Sequence, residues 1–221
     1  MRKFGLGEST GSHLPGESAG LLPHVDAWSR SSAPTFAFGQ GYSLTALQAT
    51  SIFATIANDG VRVTPNVISG FIDSSGKYTK SKPQSTTRVV SASTAQQMRL
   101  MMESVVSEQG TAPAAAIPGY RVAGKTGTAQ RADSTCHCYR GYTASFIGFA
   151  PADAPKYVVS VVIQNPQGMH WGGVLGGPVF KEVMSFVLQS KHIPPTEART
   201  SSYALTEASL KKAKSKAVIK P

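Results

Sequence analysis

Apolar residues recur along this chain at two spacings, and each spacing predicts a different element. After a loop-rich stretch over residues 1–42, Ala49, Ile52, Phe53, Ile56 and Ala57 fall at helical intervals. Thr45-Ala-Leu-Gln48 has the letters of a capping box that opens this helix, and Asn58-Asp-Gly60 stops it. Ser93-Thr-Ala-Gln96 repeats the cap ahead of Met98, Met101, Met102, Val105 and Val106, a second apolar face ended by Gly110 and read as core. A third stripe, Phe180, Val183, Met184, Val187 and Leu188, follows Gly176-Gly-Pro178, which sets proline near the first turn of a last helix.

Strand-like runs lie between these helices. Residues 61–64 and 67–72 predict two short strands before the turn Ser74-Ser-Gly-Lys77. Bulky residues at 120–123 read as a strand leading into Gly124-Lys-Thr-Gly-Thr128. Residues 142–150 and 156–164 follow as strands, with a polar connection over 132–141 ahead of them. Pro151-Ala-Asp-Ala-Pro155 is too short for a crossover, so those two strands run antiparallel. Val158, Val159, Val161, Val162 and Ile163 predict a strand covered on both faces. Trp28, Phe36 and Phe38 are read as anchors onto a core. Three antiparallel strands with helices before and after make an α+β layer structure, an antiparallel sheet packed by helices.

Composition changes this picture little. The chain has 221 residues and 41% hydrophobic content, enough for one domain with a core. Its formal charge of +10 looks like a nucleic-acid signal until it is located. Seven Lys/Arg against two Glu put half of that excess in residues 191–221, which read as a basic, disordered tail after a domain over 1–190. The remaining charge forms no basic stripe and no nucleic-acid motif, so no nucleic-acid partner is expected. No apolar run reaches membrane-spanning length, and the first residues carry no secretory signal. Cys136 and Cys138 flank His137. A metal site needs more ligands than this cluster offers, so neither metal nor cofactor is expected. A disulfide across one residue is disfavoured by its Cα geometry, which leaves free thiols in a hairpin loop.

The candidate chemistry lies at Gly119-Tyr-Arg-Val-Ala-Gly-Lys-Thr-Gly-Thr128. Lys125 supplies a fixed positive charge and Thr126 and Thr128 supply hydroxyl donors, while Gly127 opens the strand for a molecule lying against its backbone. A carboxylated substrate suits that set. The same letters fit the phosphate-cradling pattern G-x-x-x-x-G-K-[ST]. That motif needs a helix straight after the lysine, where Gly127 stands, and the strand over 158–163 ends in Gln164-Asn165 with no magnesium-binding aspartate.

Phe4-Gly-Leu-Gly, Leu14-Pro-Gly-Glu17-Ser, Phe38-Gly-Gln-Gly41, Ala57-Asn-Asp-Gly60, Gly124-Lys-Thr-Gly-Thr128, Tyr142-Thr-Ala-Ser-Phe-Ile-Gly-Phe-Ala-Pro151 and Gly177-Pro-Val-Phe180 occur in one order. This series resembles the C-terminal part of the transpeptidase domain of class B penicillin-binding proteins, nearest the septal, cell-division type. The resemblance implies a partial serine β-lactamase/DD-transpeptidase-like fold without its N-terminal segment. It implies serine acyl transfer that cross-links peptidoglycan stem peptides ending in D-Ala-D-Ala, inhibited by β-lactams.

By the same resemblance, Lys125 binds and supports proton movement, Thr126 and Thr128 bond the substrate carboxylate, Gly127 admits the peptide, and the Thr128 N–H supplies half an oxyanion hole. The parent protein belongs at the outer face of the bacterial cytoplasmic membrane, held by an N-terminal anchor outside this chain, with cell-division proteins as further partners. The family pattern also needs a Ser-x-x-Lys and a Ser-x-Asn ahead of Lys-Thr-Gly. Ser74-Ser-Gly-Lys77 fits only as letters in a turn, Ser209-Leu-Lys-Lys212 lies in the tail, and no Ser-x-Asn occurs. The chain is therefore read as a fragment whose nucleophile lies upstream and which is inactive alone. Two other readings stay open: a non-catalytic penicillin sensor or division-interaction module, and a related hydrolase that releases the acyl group to water.

Overall fold

In the computed structural model, which describes residues 1–81 and 84–196, the loop-rich start holds two 3-10 turns and one short α-helix, α1 (Ser32–Ala37), ahead of α2 (Ala46–Ala57). The predicted capping box closes α2: Gln48 N–H donates to Thr45 Oγ1 at 3.1 Å, and Thr45 N–H donates to Gln48 Oε1 at 2.8 Å. Gln48 is 2% exposed, and its Nε2 donates to the carbonyls of Glu8 at 2.8 Å and Ala19 at 2.9 Å. One cap residue thus organises the loops ahead of its own helix, because a buried amide must find partners. Glu17 holds a second knot, accepting from Ser9 Oγ and Thr10 N–H at 2.8 and 2.9 Å. These hydrogen bonds, Thr10's first, keep its carboxyl below the usual range.

The described residues divide into two units, Met1–Ala92 and the part from Ser93 onward. In the first, α2 is followed by β1 (Val61–Val63), β2 (Gly70–Ile72), β3 (Tyr78–Lys80) and β4 (Thr86–Arg88). β1 pairs antiparallel with β4, and β2 with β3. The strand predicted over 67–72 survives only as β2. Asn66 accounts for the loss: its side chain accepts from Ile68 N–H at 3.0 Å and donates to Ile68 O at 2.7 Å, satisfying groups that a ladder would use. The predicted aromatic anchors are also corrected. Phe38 is 72% exposed, and Trp28 meets Phe36 edge-on at 4.8 Å in a surface cluster.

In the second unit, α3 (Ala92–Glu103) begins one residue before Ser93, so Ser93 sits inside the first turn and not at its cap. The expected apolar face holds at Met102 and Val106, which are buried, and is corrected at Met98 and Met101, which are exposed, while Ala95 and Glu103 are buried in their place. Glu103 is 1% exposed and accepts both Arg121 Nε at 2.9 Å and Arg121 Nη2 at 2.6 Å, so the inner face of α3 is chosen by an ion pair as well as by apolar area. Its hydrogen bonds to the Glu103 carboxylate raise the pKa of the Arg121 guanidinium further.

The sheet comprises β5 (Ala123–Asp133), β6 (Cys138–Ala150) and β7 (Tyr157–Gln164) in that order, all antiparallel, as predicted for the last two strands. Against prediction, β5 begins at Ala123. Gly119 turns the chain at φ +80°, Val122 is buried, and Arg121 is spent on Glu103. The connection predicted over 132–141 is largely ladder, with an irregularity past Gln130 and a tip of residues 134–137. β7 is half-buried along most of its length and not covered on both faces: Tyr157, Val159 and Val161 pack against the core.

Cys136 and Cys138 are joined in a disulfide, which corrects the free-thiol reading. His137 between them adopts φ +51°, and that left-handed residue brings the two Cα atoms to 5.2 Å, an ordinary distance for the bond.

α4 (Gly172–Ser190) covers one face of the sheet. It starts four residues earlier than Gly176, with Pro178 inside it. Glycines make this early start workable: a Cβ on Gly172 would collide with the carbonyls of Gly127 and Ser145, so the helix lies directly on strand backbone. Phe146, Phe180, Met184 and Leu188 are fully buried between helix and sheet, with Phe146 and Phe180 edge-to-face at 4.9 Å. Losing one such side chain to alanine costs about 2–5 kcal/mol. The first residues of the predicted tail are held by this unit: Tyr120 Oη donates to Ile193 O at 2.7 Å, and Arg121 N–H to Thr196 Oγ1 at 3.0 Å. Residues 197–221, and with them Ser209–Lys212, lie outside the described residues. No described helix is long and apolar enough to cross a membrane.

Candidate functional site

β5 is one edge of the three-stranded sheet, and Lys125, Thr126, Gly127 and Thr128 stand together on it, opposite Ile147, Phe146, Ser145 and Ala144 of β6. No helix follows Lys125. The residues that would wrap a phosphate are pleated into a ladder, which removes the nucleotide-loop reading. The carbonyl of Ala123 faces Gly148 of β6. Backbone groups alternate in an antiparallel ladder, so the N–H and C=O of Thr126 and Thr128 turn to the outer edge, where no described strand pairs them. That edge is a row of main-chain donors and acceptors available to an extended peptide.

Lys125 folds back over this edge. Its Nζ donates to Thr126 O at 2.8 Å and to Thr126 Oγ1 at 3.2 Å. No carboxylate among the described residues pairs with it. Its side chain reaches solvent, yet the ammonium is partly buried against the strand, and that burial lowers its pKa from the ordinary lysine value. An unpaired, partly desolvated cation is an anion-binding group without an anion.

The two threonines are placed differently. Thr126 Oγ1 lies 3.3 Å from Thr111 Oγ1. Thr128 Oγ1 accepts from the N–H of Gly172, the first residue of α4, at 3.2 Å. Thr128 therefore caps a helix that its own N-cap residue, Trp171, does not cap. Accepting that bond leaves the hydroxyl proton free to donate. A Cβ on Gly127 would meet only the Ser145 hydroxyl, a side-chain end that can turn aside.

The sequence reasoning missed three neighbours. Beside Gly172, Trp171 is 56% exposed and lies 4.9 Å from His170, which stacks on Tyr142 at 4.0 Å with planes 7° apart. No periodicity links residue 142 to residue 170. The cap on α4 was equally hidden, because Thr128 and Gly172 are 44 positions apart. The Arg121–Glu103 pair had a weak signal, a lone charge of each sign in otherwise apolar surroundings. Ser74-Ser-Gly-Lys77 lies in the turn between β2 and β3, as expected. Asp73 Oδ1 accepts from Ser75 N–H, Ser75 Oγ and Lys77 N–H there, so these residues build a turn and not a helix start.

The profile of the penicillin binding protein transpeptidase domain matches residues 1–185. Penicillin-binding protein PbpB of Mycolicibacterium smegmatis is 45% identical over 204 residues, covering 88% of this chain and 32% of its own. Peptidoglycan D,D-transpeptidase FtsI of Escherichia coli is 36% identical over 199 residues, covering 90% of this chain and 32% of its own. The crystal structure of penicillin binding protein 3 from Mycobacterium tuberculosis complexed with aztreonam superposes with a TM-score of 0.82 at 43% identity, covering 88% of this chain and 46% of that one. The chain thus spans about a third of the length of the curated relatives it matches.

Proposed function

The chain belongs to the penicillin-binding protein transpeptidase family, and from that premise we propose that its β5 edge is the substrate-binding strand of a peptidoglycan D,D-transpeptidase. The observation that supports this reading is the unpaired edge bearing Lys125, Thr126 and Thr128 with no internal carboxylate to neutralise the lysine. A stem peptide ending in D-Ala-D-Ala lies along the edge as an added strand, its carboxylate drawn to the Lys125 ammonium and the threonine hydroxyls. The outward N–H of Thr128 points where the oxyanion of a tetrahedral intermediate develops. β-Lactams, which present a carboxylate beside a reactive carbonyl, occupy the same place; penicillin binding protein 3 of Mycobacterium tuberculosis has been crystallised with aztreonam and with ampicillin.

The acyl-transfer step needs a serine. A serine hydroxyl attacks the carbonyl of the penultimate D-Ala, the terminal D-Ala leaves as an amine, and an amine from a neighbouring stem then displaces the serine. No described Ser-x-x-Lys opens a helix, so in this reading the serine comes from a part of the domain other than the described residues. The working site lies at the outer face of the cytoplasmic membrane, with cell-division proteins as partners. The longer protein that carries these residues should be acylated by a fluorescent penicillin, while the 221-residue chain alone should not be. In the longer protein Lys125→Ala should slow acylation on the order of a hundredfold, the scale of one lost electrostatic contact in acyl transfer. An adduct on Ser74, or an unchanged rate in Lys125→Ala, would overturn the assignment.

A further inference from the structure

The tip of the β5–β6 hairpin carries a feature that substrate binding does not use. Cys136 and Cys138 form a disulfide with one residue between them. Both are exposed, and so are Ser134, Thr135 and His137 around them. The bond joins the turn to the first residue of β6, at the far end of the ladder from the Ala123–Gln130 rungs, whose backbone pairing lies outside the ring it closes. His137 adopts φ +51°, a region costly for a residue with a Cβ, inside the turn that the disulfide closes. Structural disulfides are buried and unstrained; exposed ones in a strained turn exchange readily.

We propose that Cys136–Cys138 is a thiol–disulfide exchange site whose co-reactant is a thiolate, supplied by a small monothiol or by a dithiol protein. The incoming thiolate attacks the Sγ of one cysteine. A new S–S bond forms there, the Cys136–Cys138 bond breaks, and its electron pair leaves on the other Sγ as a thiolate. That thiolate, two residues away, can reverse the step and expel the monothiol; otherwise a second monothiol thiolate attacks the monothiol sulfur of the mixed disulfide, releasing the second cysteine as a thiolate and leaving the two monothiols joined as a disulfide. A dithiol does the same within one molecule: its second thiolate attacks its own sulfur in the mixed disulfide, releasing the second cysteine as a thiolate and leaving the dithiol oxidised. Two electrons pass to the cysteine pair, and the co-reactant takes the disulfide.

The test treats the folded chain with glutathione buffers of graded thiol-to-disulfide ratio, quenches with acid, alkylates, and reads intact and peptide masses. The expected result is reversible reduction of the pair in millimolar glutathione without denaturant, a single-glutathione adduct on Cys136 or Cys138, and an unchanged far-ultraviolet spectrum. A dithiol protein of the thioredoxin type should reduce the pair without leaving an adduct, which separates the two sources. His137→Gly should shift the equilibrium about fivefold toward the disulfide, because glycine accepts a positive φ without the strain that opening relieves. A Cys136→Ser/Cys138→Ser double variant that keeps the wild-type spectrum shows that the bond is not needed for folding. A pair that stays oxidised in millimolar glutathione until denaturant is added, or that is found as free thiols in the native chain under air, would refute the proposal.

Discussion

Lys125 is the residue whose environment most directly sets the chemistry. Burial against β5 penalises its ammonium and no carboxylate compensates, so its pKa lies below the ordinary lysine value. Because the folded value is below the unfolded one, charged Lys125 subtracts from stability at neutral pH, and the penalty fades as pH rises through the folded pKa toward the unfolded. Amine modification followed by mass spectrometry across alkaline pH should therefore find Lys125 half-reactive at lower pH than N-acetyl-lysine; coincident midpoints would count against the burial argument. Thr128 has two duties that one pair of substitutions can separate. Thr128→Val loses the acceptor for Gly172 N–H and should cost about 1 kcal/mol in denaturant melts, whereas Thr128→Ser keeps it and should melt like the native chain. If valine left stability unchanged, the cap on α4 would be incidental.

Elements were legible in the sequence where local pattern decides them and illegible where a distant partner does. The helix α2 and its cap were read correctly because Thr45 and Gln48 satisfy each other within one turn. β6 and β7 followed from alternation and a link too short to cross over. The inner face of α3 was read only in part, missing that it also holds Glu103, because Arg121 reaches that carboxylate from 18 positions away. Arg121→Met should leave the Glu103 carboxylate buried and unpaired at a cost of about 3–5 kcal/mol, while the double change with Glu103→Met should recover most of it. Urea melts of the single and double variants decide this; a single variant as stable as the native chain would mean that water reaches Glu103. The start of α4 was misread because only a view of the sheet backbone shows why glycines at 172 and 173 belong inside a helix.

For the molecule as a whole, the ordered landmarks and the Lys-Thr-Gly-Thr run were enough to place the chain in its family, and the α+β class with its three-stranded antiparallel sheet followed from hydrophobic spacing. These depend on short-range order along the chain, where residue types and their intervals carry the information directly. Tertiary structure alone decided that β5 is an edge whose Thr126 and Thr128 main-chain groups face outward, that Thr128 caps α4, that Arg121 is spent on Glu103, and that Cys136 and Cys138 are joined. The physical reason is common to most of these. A ladder register, a cap from another element and a buried ion pair each depend on groups that chain closure brings within about 3 Å, the reach of a hydrogen bond. The cysteines are near neighbours in sequence, yet they too waited on conformation: one left-handed residue at His137 determines whether their sulfurs meet.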